Sequence, residues 1–502
     1  MMMRRASKTT RRVARAIAAI LLALLVVAAT LAAPMAPTAS AVPEGKAASM
    51  VASSGSFDPA PPAKRWVYYD AGKPLITGQP EGPGTGGAQS IAVAPQAERA
   101  PTAASPNAAW FDDAFMQWAK EYASPPSPPG TTGFSQWTRV AVDPQGGFIV
   151  LIGISGNAGG RSALIKTDAS GNEVWRDTFD DVVLMDVAVL SSRQYFAVGY
   201  WFIQGQVGPR VFLLYTTVRP DGSRDHQSTT IDPAVGVGRA LRVLPVSPGS
   251  VMVALNDWWK PADGSDFPHP ALMKVSYASG SPPSVQWAKR YINQFPGDIV
   301  DFAQTGSGYA LLTGNWGTGT KVVRTDADGN VTSSWDTPAG TAIASMQRTS
   351  DGGNILSGNQ NVWSGDPADG NRADAALIKL DSSGAQQWLK TVDYADEGAY
   401  EWATYYATQT GDGGYVAAGM RPVGGYSAGH IFKIEADGTT LKWEYTMTPH
   451  PQDIKRKDAS VVFVGSWGNG IFLVKTKDVG AITKELRVKS ISMYTTQDND
   501  WP

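Results

Sequence analysis

Two segment types recur along most of the chain, and their repetition limits the fold more than any other feature of the sequence. The clearest copies are residues 375–388, AALIKLDSSGAQQW, and residues 410–419, TGDGGYVAAG. The first is an apolar run, a tight polar turn and a tryptophan; the second is a glycine turn followed by alternating small and apolar residues. Each pattern is typical of a β-hairpin arm, so the chain is predicted to be an array of similar β units.

Each full unit is predicted to contain four strands joined by turns. In the first unit the strands fall at residues 137–142, 148–153, 163–167 and 174–179, with the longer loop between the second and third. The turn between the third and fourth strands recurs, ending at Gly171, Gly222, Gly280, Gly329, Gly384, Gly438 and Gly480. Four antiparallel strands every roughly 40–60 residues are typical of a propeller blade. We therefore predict an all-β fold, a seven-bladed β-propeller of four-stranded antiparallel blades.

Several of these turns begin with an aspartate, whose carboxylate caps the turn while the glycine adopts a positive φ. Residues 168–171, 326–329 and 381–384 follow this pattern. Residues 326–330, DADGN, also resemble the start of a calcium-binding loop, but no acidic ligand follows at a suitable spacing. A plain turn is the favoured interpretation.

Tryptophans recur on the fourth strands, in register with the turns. They are Trp175, Trp287, Trp335, Trp388 and Trp443, with Trp118 at the matching point of an N-terminal fragment. Because they follow the repeat, we expect these side chains to pack blade against blade. Residues 117–122, QWAKEY, nearly duplicate residues 286–291, QWAKRY, and are predicted to close the ring against the last unit. Residues 482–488 compete for the same edge, and the sequence does not decide between the two.

The best-matched motifs lie in the fifth and sixth units, at residues 351–353, 377–379 and 412–415. They resemble the degenerate propeller repeats of secreted bacterial proteins, in which D-G-G-Y-x-x-x-G is followed by L-I-K-x-D-x-x-G-x-x-x-W. The second, third and seventh units have diverged from this pattern. The resemblance covers about residues 117–486. It implies a propeller and no single activity, because proteins of this kind have none in common.

The first 41 residues are typical of a signal peptide for secretion. A basic stretch, an apolar run at residues 16–33 and small residues at 39–41 follow one another in the required order. Pro34 and Pro37 favour cleavage over an uncleaved membrane anchor, the alternative raised by the length of the apolar run. Sec and Tat export both stay open. We expect a secreted, extracellular protein with no membrane association after cleavage.

Residues 42–108 are rich in Pro, Ala, Gly and Ser and are predicted to form a disordered N-terminal tether, because they bury too little apolar surface to offset chain entropy. Within this linker, residues 65–69, RWVYY, are predicted either to dock as a strand or to remain part of the tether. Residues 109–490 are assigned to the propeller and residues 491–502 to a C-terminal tail.

Composition limits the expected partners. The chain has no cysteine, so an exported form depends on packing without disulfides. Removal of the six cations in the signal changes the formal net charge from −2 to −8. A mildly acidic mature chain gives no electrostatic reason to expect nucleic acid or an anionic membrane as a partner. We expect a monomer.

No catalytic or metal-binding motif stands out. The four histidines, at positions 226, 269, 430 and 450, share no metal-ligand spacing, so no metal and no cofactor is predicted. A Ser/His/Asp triad stays open, although no G-x-S-x-G context supports one. The glycines at residues 82–87 lack the preceding strand and following helix of a phosphate-binding loop.

The long loops are predicted to share one face. In an antiparallel meander of four strands, the second-to-third loops and the connections between blades emerge together, opposite the short turns. Six of the seven second-to-third loops carry an aromatic residue: Trp201, Trp258, Trp259, Trp316, Trp363, Tyr426 and Trp467. These are candidate ligand-binding residues that stack on sugar rings or on a partner's apolar surface. The alternative is that they pack across neighbouring blades and seal the rim.

The same face is expected to carry residues 393–402, DYADEGAYEW, with Asp396, Glu397 and Glu401 as candidate carboxylates. Two functions follow. The first is a secreted, non-catalytic binding or interaction propeller for a glycan or a protein partner. The alternative is a secreted carbohydrate-active enzyme, a glycoside hydrolase or lyase that uses these carboxylates. A solvated acidic loop or a cation site is a further interpretation, so enzymatic activity is left undecided and binding is favoured.

Overall fold

Thirty β-strands and no helix occupy the part of the chain that the computed structural model describes. The described residues are 66–70, 73–75, 115–127, 134–156, 159–201, 209–231, 236–259, 269–291, 295, 297–315, 319–360, 374–392, 405–423, 426–447, 450–467 and 470–482. All of them belong to one compact unit, residues 62–502. Within these ranges no helix is long and apolar enough to cross a membrane. The predicted signal, the predicted tail and most of the predicted tether lie outside the described residues.

The strands form seven sheets, which are the blades. Three strands precede the first complete blade: β1 (Trp66–Asp70), β2 (Lys73–Leu75) and β3 (Met116–Ala123). Blade 1 contains β4 (Phe134–Val142), β5 (Phe148–Gly156), β6 (Gly159–Thr167) and β7 (Glu173–Asp180). Blade 2 contains β8 (Val182–Ser191), β9 (Gln194–Trp201), β10 (Arg210–Val218) and β11 (Arg224–Ile231). Blade 3 contains β12 (Gly236–Ser247), β13 (Ser250–Trp259), β14 (His269–Ala278) and β15 (Ser281–Tyr291).

The remaining blades repeat this order. Blade 4 contains β16 (Asp298–Gln304), β17 (Gly308–Asn315), β18 (Gly319–Asp326) and β19 (Val331–Asp336). Blade 5 contains β20 (Thr341–Arg348), β21 (Asn354–Gln360), β22 (Asp374–Leu380) and β23 (Gln386–Val392). Blade 6 contains β24 (Tyr405–Gln409), β25 (Tyr415–Val423), β26 (Tyr426–Ile434) and β27 (Leu441–Met447). Blade 7 contains β28 (His450–Lys457), β29 (Ser460–Trp467) and β30 (Gly470–Thr476), and takes β3 as its fourth strand.

The blades close into a ring around an axis. Within each blade, neighbouring strands are antiparallel and hydrogen-bonded in order. The first strands of consecutive blades contact one another without a break from β4 to β28 and back to β4. The first strands therefore surround the axis, and the fourth strands lie outermost. The predicted all-β, seven-bladed propeller is confirmed.

The N-terminal strand closes the ring. β3 pairs with β30, with Trp118 opposite Lys475 and Tyr122 opposite Ile471. Of the two candidates for this edge, residues 117–122 hold it. Ile482 instead lies buried in the hydrophobic cluster next to blade 7, and residues 483–488 lie outside the described residues. The prediction that Gly480 ends a third-to-fourth turn is wrong: within the described residues Gly480 follows β30, the fourth strand of this blade is β3, and Gly480 lacks the positive φ of the other turn glycines.

Three tryptophans of the fourth strands, Trp118, Trp287 and Trp388, cover the glycine turn of the next blade. Trp118 of β3 lies against Gly171 of blade 1, where an added Cβ would be 2.6 Å from the indole. On the same strand, Tyr122 donates a hydrogen bond of 2.6 Å from its hydroxyl to the Gly171 carbonyl. One turn is thus held by two aromatic side chains of the preceding blade.

The same clamp recurs at other blade boundaries. Trp287 of β15 lies against Gly329 of blade 4, and the Tyr291 hydroxyl donates to the Gly329 carbonyl at 2.7 Å. Trp388 of blade 5 lies against Gly438 of blade 6. The duplicated sequence at residues 117–122 and 286–291 therefore has one structural cause, which is contact with the following turn. The predicted packing of these tryptophans between blades is confirmed.

The motif of the repeat stabilises the short turns between the first and second strands through lysine side chains that are largely buried. A lysine on the third strand pairs with the aspartate that follows the first strand. The pairs are Asp143–Lys166 in blade 1, Asp351–Lys379 in blade 5 and Asp412–Lys433 in blade 6. The Lys379 side chain is only 2% exposed, so its ammonium group needs this partner. The D-G-G turn and the lysine of L-I-K are thus two parts of one structural unit.

A hairpin extends the outer edge of blade 3. β1 pairs in parallel with β15, with Trp66 opposite Ala288 and Tyr69 opposite Tyr291, and β2 pairs with β1. Of the two alternatives for residues 65–69, the structure has the docked strand. Apart from residues 66–70 and 73–75, residues 42–108 lie outside the described residues, and the tether stays a prediction there. The Trp, Val and Tyr residues of β1 favour a strand, and an open sheet edge is available to pair with it.

Gly438→Ala is expected to destabilise the protein more than Gly222→Ala. Both glycines have a positive φ, +71° and +83°, which costs alanine roughly 1–2 kcal/mol. Only at Gly438 would the new Cβ also overlap an indole, that of Trp388; nothing lies within 4 Å at Gly222. We expect a further loss of about 1–3 kcal/mol at Gly438, measured by urea unfolding. Equal losses would contradict the clamp.

The paired carboxylates predict a loss of stability in acid. Burial would raise the pKa of Asp351, but hydrogen bonds from Lys379 and Thr349 bring it down to about 2, and opposing effects of the same kind set the pKa of Asp412 at about 2. The unfolded pKa is about 3.9, so the stabilisation is present above about pH 4 and is lost as the pH falls through about 2. Urea unfolding between pH 4 and pH 2 should depend less on pH in the Asp351→Asn/Asp412→Asn variant. Parallel pH profiles would rule out this role.

Candidate functional site

The second strands end and the third strands begin on one side of the ring, which we call the long-loop face. On this side β9 ends at Trp201 and β10 begins at Arg210, while β21 ends at Gln360 and β22 begins at Asp374. Because the strands alternate in direction, the connection from β23 to β24 leaves from the same side. The strand order thus confirms that the longer connections share a face.

Most of the predicted aromatic residues lie at strand ends rather than in loops. Trp201 ends β9, Trp258 and Trp259 end β13, Tyr426 begins β26 and Trp467 ends β29. All five stand at the long-loop face, on blades 2, 3, 6 and 7. The structure thereby places aromatic positions of four blades on one side of the ring.

Five further candidates cannot be placed in the same way. Trp316, Trp363, Asp396, Glu397 and Glu401 lie outside the described residues. In the sequence, the three carboxylates fall between the end of β23 and the start of β24, two strand ends that lie at the long-loop face.

Trp201 is partly buried. Its side chain packs against the hydrophobic cluster that contains Leu184 and Phe212, where blades 1 and 2 meet. This packing favours the rim-sealing role for Trp201 over stacking on a ligand.

Charged residues of alternating sign surround the axis, and the sequence analysis did not single them out. Passing from blade 7 through blades 1 to 4, the first strands carry Asp453, Arg139, Asp186, Arg242 and Asp301. We call these five residues the axial ring. Burial would lower the pKa of Arg139, but Tyr406 and the three aspartates of the ring raise it. Arg139 lies on β4, one of the first strands that surround the axis.

Each aspartate of the axial ring accepts a backbone N–H from the first strand of the following blade. The bonds run from Val140 to Asp453 at 3.1 Å, from Val243 to Asp186 at 2.9 Å and from Met346 to Asp301 at 2.7 Å. Each of these aspartates follows a register shift between its strand and the second strand of its blade. Such a bulge redirects the side chain, here towards the neighbouring blade.

The two arginines of the axial ring also contact neighbouring blades. Arg242 Nε lies 2.8 Å from Asp301 Oδ1, and both side chains are 12% exposed. Arg139 donates from Nη1 to the Gln452 carbonyl at 2.8 Å and stacks over the Tyr406 ring at 5.3 Å. The charges of the ring are thus engaged with one another or with the backbone, which indicates a structural role.

Two aspartates of the ring differ in their electrostatics. Burial raises the pKa of Asp186 despite the opposing effects of Arg242 and Arg139. Burial also acts on Asp301, but Arg242 and the Met346 N–H outweigh it and lower the pKa of that carboxyl. The pKa shifts of Asp186 and Asp301 therefore have opposite directions because only Asp301 forms a direct ion pair with Arg242.

His226 lies in an array that resembles a catalytic triad. It belongs to β11, with Nδ1 3.0 Å from Thr216 Oγ1 and Nε2 3.3 Å from Asp177 Oδ2. Asp177 also pairs with Arg224 at 2.7 Å. Thr216 is only 1% exposed, so a substrate cannot reach its hydroxyl. The array links the outer strands of blades 1 and 2.

His430 forms a second array of this kind. Its Nδ1 lies 3.3 Å from the Tyr405 hydroxyl, and its Nε2 lies 3.3 Å from Glu444 Oε2. Tyr405 and His430 are both fully buried, whereas the Glu444 side chain is 46% exposed. The buried phenol is no more accessible to a substrate than the Thr216 hydroxyl.

The described residues contain no group of three or more His, Asp or Glu side chains arranged to hold a metal ion. In the segment that resembles a calcium loop, Asp326 Oδ1 accepts the N–H groups of Asp328 at 2.9 Å and Asn330 at 2.8 Å. This carboxylate caps its own turn, as the favoured interpretation predicted.

A buried ion pair stabilises blade 3 near the long-loop face. Asp257 and Arg290 form this pair, and both side chains are fully buried. The adjacent Asn256 accepts the N–H of Ile299 in blade 4 at 2.7 Å through its side-chain oxygen. The ends of β13 and β15 are therefore fixed to each other and to the next blade, directly beside Trp258 and Trp259.

Comparison with known proteins adds little beyond the fold. No family model matches the chain. No curated protein matches it either. Among solved structures, a protein of unknown function from Bacteroides caccae is 11% identical, with a TM-score of 0.34, and the match covers 62% of this chain and 93% of that one.

Two eukaryotic structures show likeness at the same level. Chaetomium thermophilum Sqt1, solved with the N-terminus of ribosomal protein L10, is 10% identical with a TM-score of 0.41, covering 68% of this chain and 96% of that one. Chaetomium thermophilum Raptor is 10% identical with a TM-score of 0.38, covering 69% of this chain and 28% of that one.

Asp301→Ala is expected to cost about 3–5 kcal/mol, because it leaves the buried Arg242 charge without its partner. The double variant Asp301→Ala/Arg242→Met should recover part of this loss, since it removes the unpaired charge. Full recovery is not expected, because the Met346 N–H also loses its acceptor. Urea unfolding of wild type and both variants measures the effect. A double variant no more stable than Asp301→Ala would contradict the pairing argument.

Proposed function

We propose that the protein is a secreted, non-catalytic binding or interaction propeller that recognises a glycan or a protein partner on its long-loop face. The observation that carries the proposal is the set of aromatic positions at strand ends on that face in blades 3, 6 and 7, with Trp201 of blade 2 set aside because it packs into the core. Tryptophan and tyrosine offer a large, rigid contact area with a polar edge, suited to sugar rings and to protein surfaces.

Accessibility supports binding over catalysis. The two described arrays that resemble catalytic groupings place their hydroxyls on Thr216 and Tyr405, which are 1% and 0% exposed. The axial ring is made of charges engaged with one another and with the backbone. Nucleophilic catalysis needs an accessible activated group, and these groups are structural instead.

Blade 3 is the best-supported part of the proposed surface. Trp258 and Trp259 end a strand whose neighbouring residues, Asn256 and Asp257, are fixed by buried hydrogen bonds and an ion pair. A binding residue on a rigid strand loses less conformational entropy on binding than one on a loose loop.

Export is part of the proposal and rests on the sequence. The basic stretch, the apolar run at residues 16–33 and the small residues at 39–41 support a cleaved signal. The absence of cysteine in the chain fits a fold that is stabilised by blade packing alone.

A carbohydrate-active enzyme is the second candidate. It is favoured by the position of Asp396, Glu397 and Glu401 between β23 and β24, on the face that carries the aromatic positions. A glycan array followed by product analysis separates the two functions. Binding without released sugar supports the binding propeller, released sugar supports the enzyme, and binding of a protein partner alone assigns the face to protein recognition.

Replacement of aromatic residues tests the face itself. Trp316→Ala and Trp467→Ala should weaken binding of the glycan or partner found in that screen and barely change stability, because residues that face solvent contribute little to the core. Trp388→Ala should instead cost about 3 kcal/mol, since it removes the ring that packs on Tyr415 and Gly438.

Thermal melts of these three variants, with and without the ligand, measure both effects. The Trp388→Ala variant is the matched control, because it removes the same side chain from a blade boundary. If Trp316→Ala and Trp467→Ala destabilise the free protein as much as Trp388→Ala does, these aromatic residues seal the rim and the proposed binding face is wrong.

A further inference from the structure

Each blade has an outer edge at its fourth strand, and one of these edges is paired with a further strand. In six sheets of the described structure the fourth strand is terminal, so its outer edge carries no further strand. In blade 3, β15 is followed by β1 and then by β2. The register joins four residues of β1, from Trp66 to Tyr69, to Ala288–Tyr291 of β15, in parallel orientation. One blade edge thus accepts a strand that is remote in sequence.

Blade 7 provides an internal comparison, because β3 and β15 share the QWAK-x-Y sequence and the same clamp on the following turn. In β3, whose outer edge carries no strand, Lys120 is half-buried and Glu121 is exposed. At the corresponding positions of β15, Lys289 is 8% exposed and Arg290 is fully buried. The edge that accepts the hairpin therefore differs from its counterpart in exposure as well as in pairing.

The hairpin formed by β1 and β2 has a sequence suited to binding a sheet edge as an added strand. The sequence of β1, WVYYD, is rich in residues that favour strands, and Asp70 stands opposite Lys73 where β1 turns into β2. The segment between β2 and β3 is rich in Pro, Gly and Ala. Main-chain hydrogen bonds supply the affinity when a strand is added to a sheet edge, and attachment within the same chain raises the effective concentration of the strand to about the millimolar range.

We propose that the outer edge of blade 3 is a strand-acceptor site whose occupant is this chain's own hairpin, residues 66–75. The site binds an extended segment by strand addition, and the hairpin fills it in the same molecule. Occupied in this way, the edge is closed to pairing with a second copy of the chain. The segment between the signal and the propeller thus contains a removable cover for one blade, independent of any ligand on the long-loop face.

A labelled peptide of residues 62–78 tests the site. It should bind with 1:1 stoichiometry to a chain lacking residues 62–80 and should not bind measurably to the intact chain, whose edge is already filled. A control peptide with Val67→Pro and Tyr68→Pro loses one main-chain donor on each side of the strand and should bind at least about tenfold more weakly. Equal binding of both peptides, or no binding of either, would overturn the proposal.

Two further measurements guard against misfolding and against exchange between copies. If the deletion variant does not fold, a full chain carrying a protease site after residue 90 is cleaved after folding, and the labelled peptide should then displace the released hairpin. Failure of the peptide to exchange would overturn the proposal. Light scattering should show the intact chain as a monomer, whereas a dimer that is lost on deletion of residues 62–80 would assign the hairpin to a second copy and overturn occupancy within one molecule.

Discussion

Acceptance of a backbone N–H by an aspartate of the preceding blade is the contact on which the centre of the ring depends. A propeller has no continuous hydrogen-bonded sheet around its axis, so each inner strand reaches its neighbour through side chains. Asp453, Asp186 and Asp301 do this across three boundaries, from positions next to a register shift. The arginines between them keep the carboxylates from facing one another unpaired in a poorly hydrated interior.

A second kind of contact acts at the outer strands. Tryptophan and tyrosine of one blade cover a glycine turn of the next, and the closing strand β3 uses the same two residue types as β15. The junction between the first and last segments of the propeller is therefore built like an ordinary blade boundary. This explains why a strand remote in sequence can complete blade 7. Residues 117–122 contain both side chains that contact the turn of the next blade.

The sequence repeats made the fold predictable. Features that form only when the ring of blades closes were not predicted. Recurrent turns and tryptophans were sufficient to predict the blades, whereas the duplicated QWAK-x-Y segment was only one of two candidates for the closing strand. The axial ring left a weaker signal, an aspartate before an apolar residue at Asp186, Asp301 and Asp453, which in a single strand looks like an ordinary exposed position. Only closure of the ring brings these strands together. Loop boundaries were also misjudged, because Trp259 and Trp467 continue strands to their last residue.

The distribution of satisfied polar groups separates the two faces of the ring. On the side of the short turns, aspartates are bonded to their own turns or to buried lysines, as Asp326 and Asp351 are, and a substitution there disturbs the fold. Around the axis the charges are engaged in the same way. On the long-loop face, β9, β13 and β29 end in tryptophan and β26 begins with Tyr426. The contacts that join the blades at the axis and at the short turns do not depend on these strand ends, so the face that the fold constrains least is the one to which a binding role is proposed.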